Sequence, residues 1–221
     1  MKRAMIGLAL CLLVGFTGCS QEHDRVGDAP RTETASSIAG WKGVSTSGIA
    51  LQFPADWKLD DLSRDRYEQG ADKVYGNDPK FAGIRSQASA AAKQGVIKLI
   101  AFETATVGTG FATNCSVGIL DAPGQETLEQ AAQATVSQLA PIVTQGTQPK
   151  LQYVTLKSGR SALIRSEIKS PNPAIPALVS LAYLIRKDSK LVVVTFTVPA
   201  QDETHIQTIA NHVMETFHFG N

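Results

Sequence analysis

Hydrophobic positions change character along this chain, and each change predicts a different kind of segment. Ala4 to Phe16 is one uncharged apolar run, whereas Gln21 to Gly40 holds almost no large apolar residue. Beyond it a period of two appears. Ile49, Leu51 and Phe53 alternate, as one buried face of a strand does, and Pro54 stops the pattern. Pro54-Ala55-Asp56-Trp57 then predicts a turn that returns a large aromatic to the core. Asp60 to Lys80 is charged and broken by Gly70, Gly76 and Pro79, which predicts irregular surface. Phe81 to Gln94, rich in Ala88, Ala90, Ala91 and Ala92, predicts a helix ending at Gly95. Val96 to Phe102 and Phe111 to Leu120 predict two strands joined around Gly108-Thr109-Gly110.

In the second half the period lengthens and then shortens again. Thr127-Leu128-Glu129-Gln130 has the form of a capping box, with Thr at the N-cap and Gln three residues on. Leu128, Ala132, Thr135, Leu139 and Ile142 follow at helical spacing and predict one apolar stripe. Strands are predicted at about 151–156, 160–168, 179–186 and 190–198. Ser158-Gly159 is a two-residue hairpin signal between the first two, and Arg186 to Lys190 closes a second hairpin. Such short links require antiparallel neighbours, because a parallel pair needs a crossover of a dozen residues or more. Leu191 to Val198 is apolar at almost every position, so this strand should be central and covered on both faces. The last helix, about Asp202 to Phe217, carries Ile206, Ile209, Ala210, Val213 and Phe217 on one stripe. It should cover one face of the sheet, and the Thr127 helix the other. The prediction is an α+β fold, a three-layer α/β/α sandwich around a central, mostly antiparallel sheet.

The run Gly48 to Trp57, with its Pro-x-x-Trp turn, resembles the opening of the PsbP-like superfamily. The late order of strand, Gly turn, three strands and helix, ending in Glu215-Thr216-Phe217-His218-Phe219, is similar too. That superfamily includes PsbP proteins of photosystem II, a Ran-binding factor and bacterial lipoproteins of the LpqN and DcrB kind. The resemblance implies the fold from about Gly40 to Phe219. It implies no particular activity, because members share none and a fold does not fix a function.

Composition narrows the class further. The chain has 221 residues, 43% of them hydrophobic and 19% charged, which excludes collagen-like and wholly disordered readings. A net charge of +1 gives no basic footprint for nucleic acid. Lys2 and Arg3 ahead of the first apolar run make an export signal, shorter than the roughly 20 apolar residues of a spanning helix. Phe16-Thr17-Gly18-Cys19 at its end resembles the bacterial lipobox, with Phe16 where Leu is usual. The resemblance implies cleavage between Gly18 and Cys19 and a lipid on Cys19. Ser20 then points, by the Gram-negative sorting rule, to the outer membrane facing the periplasm. Loss of Lys2 and Arg3 leaves 19 cations against 20 carboxylates, a mature balance of −1.

The expected layout is a signal peptide at 1–18, a lipidated Cys19 with a flexible tether to residue 40, and one domain over 41–221. The tether cannot bury enough surface to offset its ordering entropy. Its mean reach is roughly 25 Å. Of three cysteines, Cys11 leaves with the signal and Cys19 takes lipid, so Cys115 is alone and reads as a small core residue.

No catalytic signature is present: no Gly-x-Ser-x-Gly, no His-Glu-x-x-His, no Cys-x-x-Cys and no phosphate loop. Gly108-Thr109-Gly110 reads as a turn. His205 and His212 lie seven apart on one helix, about 10 Å from each other, too far to share one zinc ion. With His218 they read as surface or helix-flank residues. Asp60, Asp61 and Asp65, and Asp72 with Asp78, lack calcium-loop spacing and read as solvated. No metal or cofactor is expected. Lys169 to Leu178 is stiffened by Pro171, Pro173 and Pro176 and carries Ile175, which makes it a candidate partner-docking loop. Equally, its prolines can serve to stop edge pairing. Together these readings predict a non-enzymatic, membrane-anchored interaction module of the cell envelope with a protein partner. The alternative is an envelope carrier of a small apolar or cell-wall ligand, held between the last helix and Val192 and Val194.

Overall fold

A computed structural model describes residues 40–62, 93, 95–107, 111–122, 126–169 and 177–220. The first two strands, β1 (Trp41–Thr46) and β2 (Ile49–Pro54), form a hairpin whose register puts Thr46 opposite Ile49. Ser47 and Gly48 both take positive φ there (49° and 81°), the conformation that matches a two-residue turn to strand twist. After the Pro54-Ala55-Asp56 turn the chain enters β3 (Trp57–Asp61), then β4 (Ile97–Glu103) and β5 (Asn114–Asp121). Helix α1 (Leu128–Leu139) follows. Four strands come next: β6 (Lys150–Leu156), β7 (Gly159–Lys169), β8 (Ala177–Lys187) and β9 (Lys190–Pro199). Helix α2 (Glu203–Thr216) and the two-residue β10 (His218–Phe219) end the described chain.

Seven strands make one antiparallel sheet in the order β3-β4-β5-β9-β8-β7-β6, and β1-β2-β10 make a second. The apolar strand Leu191 to Val198 is the body of β9, fourth of the seven, with neighbours on both sides and cover on both faces. Helix α1 packs on one face, chiefly against β7 and β8. Its Leu128, Ala132 and Leu139 join Ile164, Leu184 and Val193 in a buried cluster. The other face is covered jointly by α2 and the small sheet. Ile49, Leu51 and Phe53 of β2 and Ile206, Ala210 and Val213 of α2 close over Val117, Val192, Val194 and Phe196. Each such side chain contributes about 1.5–3 kcal/mol by leaving water, so this larger cluster dominates the stability. The three-layer α/β/α arrangement is therefore present, with the small sheet as an added part of the α2 layer.

The Pro-x-x-Trp turn does what its spacing predicts. Trp57 is 1% exposed and stacks on Phe53 with ring centroids 5.8 Å apart. The capping box is also real: Thr127 Oγ1 accepts from the Gln130 N–H, and the Thr127 N–H donates to Gln130 Oε1.

Four expectations are corrected. Asp60 is not on a solvated surface; it is 3% exposed inside β3, opposite Ile100, because pairing with β4 draws it into the sheet, on the face opposite Trp57 and Leu59. Ile142 does not extend the α1 stripe. The helix stops at Leu139, ahead of Pro141, which has no N–H to give, and Ile142 is 39% exposed. The β6–β7 turn is Lys157-Ser158 and not Ser158-Gly159, since Leu156 pairs with Gly159. Finally, β5 begins at Asn114, three residues later than Phe111. The expected helix at 81–94 lies outside the described residues except for Lys93.

Candidate interaction surface

Several polar side chains fix α2 to the sheets. Arg165 of β7 stands in the register row Leu59, Ala101, Cys115, Phe196, Leu181, Arg165, Lys150, on the face that α2 covers. From there its Nε and Nη2 donate to the two carboxylate oxygens of Glu203 at 2.5 and 2.6 Å, a two-pronged pair. These bonds hold the Glu203 carboxyl below the usual carboxylate range. One turn away, His205 Nε2 lies 2.9 Å from Glu103 Oε1 of β4. Tyr183 Oη donates to Asn211 Oδ1 at 3.3 Å, and burial pushes the phenol up to about 12. At the far end the Gln52 N–H of β2 donates to Thr216 Oγ1 at 3.0 Å. His212 packs under Trp41, ring centroids 4.1 Å apart.

Cys115 sits in the middle of that register row, fully buried, with its Sγ donating weakly to the Ser116 carbonyl at 3.9 Å. Burial pushes its thiol well above the ordinary range, the opposite of what a nucleophile needs. It is the small core residue its sequence context predicts. His205 and His218 are exposed, as expected, while His212 is half-buried. Among the described residues no three His, Cys, Asp or Glu side chains are grouped to hold a metal ion. Val192 and Val194, expected to line any ligand space, are 1% and 0% exposed and pack with α2. Gly18, Cys19, Pro171, Pro173, Ile175 and Pro176 lie outside the described residues.

The two edges of the large sheet differ. At β3, side chains of β1 close in: Lys42 Nζ donates to the carbonyls of Trp57 and Ala55, and Thr46 Oγ1 donates to Asp61 Oδ1 at 2.9 Å. At β6 no described strand lies beyond. The two-residue turn fixes which backbone groups face out there. Leu156 and Gly159 are a hydrogen-bonded pair, so Val154, Gln152 and Lys150 also bond toward β7. The N–H and C=O groups of Leu151, Tyr153 and Thr155 therefore point away from the sheet.

Ile142 to Thr144 continue the same edge. Val143 bridges Ile168, and the Thr144 N–H donates to the Glu167 carbonyl at 2.8 Å. The two large hydrophobic side chains most exposed among the described residues, Ile142 at 39% and Tyr153 at 40%, thus share one edge. Arg160 lies over the Tyr153 ring, 4.4 Å from its centroid, and pairs with Glu129. Sequence reasoning placed this strand but not its position as an edge. The available signal was the lysine at each end of the run, Lys150 and Lys157, a charge that sheet edges commonly carry.

An antiparallel seven-stranded sheet, with one helix on one face and a helix plus a small sheet on the other, is the PsbP-like fold that the sequence resemblance implied. Cyanobacterial PsbP (CyanoP) from Synechocystis sp. PCC 6803 superposes with a TM-score of 0.51 at 14% identity, over 86% of this chain and 98% of its own. The Ran-binding protein Mog1p of Saccharomyces cerevisiae matches with a TM-score of 0.47 at 14% identity, over 81% and 95% of the two chains. LpqN of Mycobacterium tuberculosis, involved in cell envelope biogenesis, gives 0.47 at 11% identity over 82% and 91%. No protein-family model matches the sequence, and no curated protein is similar to it in sequence. The likeness is one of fold.

Proposed function

We propose that the protein is a lipid-anchored lipoprotein of the cell envelope whose folded domain works as a non-enzymatic interaction module. The observation that carries this reading is Gly18-Cys19 at the end of an uncharged apolar run, about twenty polar residues before the first strand at Trp41. A multiply acylated Cys19 holds a protein on a membrane without a spanning segment, since each buried CH₂ contributes roughly 0.8 kcal/mol. No helix among the described residues is long and apolar enough to cross a membrane. The domain's own chemistry agrees: its thiol is entombed, and Glu103, Arg165, Glu203 and His205 are engaged in holding α2. In this reading the domain stands at the periplasmic side of the outer membrane and acts through contacts with an envelope protein.

Intact mass of membrane-extracted protein tests it. A mass equal to residues 19–221 plus three acyl chains is the expected result. A mass that begins before Cys19, or carries no lipid, overturns the anchor and the function built on it.

A further inference from the structure

The β6 edge combines three things that are separately ordinary: outward-facing backbone groups, exposed apolar side chains and a cation at each end. From Gln130 to Ser166 the chain has no carboxylate at all but carries Lys150, Lys157, Arg160 and Arg165. Arg165 is paired with Glu203 and Arg160 with Glu129. Lys150, near enough to Glu203 to help hold its carboxyl low, and Lys157, at the two ends of β6, form no ion pair among the described residues. Strand and charge therefore present one template: donors and acceptors from Leu151, Tyr153 and Thr155 between two cations.

We propose that the outer edge of β6 binds an extended, acidic segment of a partner protein, which adds to the sheet as an eighth strand beside Leu151, Tyr153 and Thr155 with its carboxylates toward Lys150 and Lys157. Backbone hydrogen bonds supply affinity in this mode, and alternate side chains supply selectivity. Charge argues against a second copy as the occupant. An antiparallel β6 pair centred on Tyr153 sets Lys150 opposite the copy's Leu156, one residue from its Lys157, so two cations crowd each end, and their repulsion opposes pairing. An acidic strand reverses that sign. The β3 edge is no competitor, because Lys42 already occupies the carbonyls of Trp57 and Ala55. The proposal deepens the interaction-module reading and rests on it.

The test uses the full-length chain in detergent and two fluorescein-labelled nine-residue peptides, one alternating Val with Glu and the other Val with Lys. Anisotropy titration should show binding of the Glu peptide, weakening as salt screens the pair, and no binding of the Lys peptide. Reversing both cations (Lys150→Glu with Lys157→Glu) should weaken the Glu peptide by about tenfold, from two exposed charge pairs turned repulsive. Thr155→Pro removes an outward N–H without touching a β6–β7 bond, a place where an edge strand tolerates proline, and should weaken it comparably. Equal binding of the two peptides, no binding of either, or unchanged binding by both variants overturns the proposal. So does a concentration-dependent dimer that Thr155→Pro abolishes, since that makes the occupant a second copy. Crosslinking in intact envelopes separates the two levels of argument. A partner captured equally by wild type and Thr155→Pro overturns the edge and leaves the module; no partner captured by wild type, on a lipidated protein, overturns both.

Discussion

Replacing Glu203 by Gln should destabilise the domain at neutral pH and do almost nothing in acid. The side chain keeps its shape and loses its charge, leaving Arg165 with one ordinary acceptor and with Lys150 nearby. A hydrogen bond to a charged group contributes about 1.5–3 kcal/mol, and an acidic residue in a helix's first turn adds about 0.3–1 kcal/mol. The side chains of Arg165 and Glu203 are 32% and 25% exposed, so solvent screening trims the gain. The expected loss is about 1–2 kcal/mol at pH 7. Its pH dependence has a definite sign. The Arg165 guanidinium holds Glu203 below its ordinary value, so the folded state favours the carboxylate. The stability this supplies is complete above the unfolded pKa and disappears as pH falls through the lower folded one. Urea unfolding of wild type and Glu203→Gln at pH 7, 5, 4 and 3 should show the two midpoints converging as pH falls. Glu129→Gln is the internal comparison: the Arg160 pair it breaks is 58% and 44% exposed, and its midpoint should shift less. A Glu203→Gln shift no larger than that of Glu129→Gln, or one that does not shrink as pH falls, would refute the clamp.

Three further outcomes follow from the same geometry. Tyr183→Phe should cost about 0.5–1.5 kcal/mol at pH 7 through its bond to Asn211. Wild type should also lose stability between pH 10 and 12, as the unfolded phenol ionises and the buried one does not, and the Phe variant should be spared that loss in alkaline melts. Cys115 should resist a thiol reagent in the native protein and react at once in 6 M guanidinium; native labelling faster than unfolding would contradict its burial. Thr127→Ala should lower stability by about 1 kcal/mol in urea, and an unchanged midpoint would deny the capping box any weight.

Most of the fold was legible where one physical rule dominated a stretch of sequence. The unbroken apolarity of Leu191 to Val198 announces a central strand, and Thr127 with Gln130 announces a helix start. Legibility failed where a position depends on partners far away in the chain. Trp41-Lys-Gly-Val-Ser-Thr has no clean alternation, and only its pairing with β2 makes it β1. Asp60 reads as surface until β4 is laid against it. The candidate surface divides in the same way. The proposed lipid site rests on Gly18-Cys19 and the apolar run before it, and so belongs to the sequence. The docking edge exists only because β5 pairs with β9, which sends β6 to the outside of the sheet.

The small sheet has a consequence in the order of synthesis. β2 lies between β1, which opens the domain, and β10, which closes it. Its Gln52 N–H meets Thr216, 164 residues later. A chain is made, and exported, with its N-terminal end leading. The β1–β2 hairpin is thus among the earliest parts to emerge and the last to be enclosed. Ile49, Leu51 and Phe53 stay open to water until the final helix arrives, so this hairpin is where an escorting chaperone has the longest time to hold on.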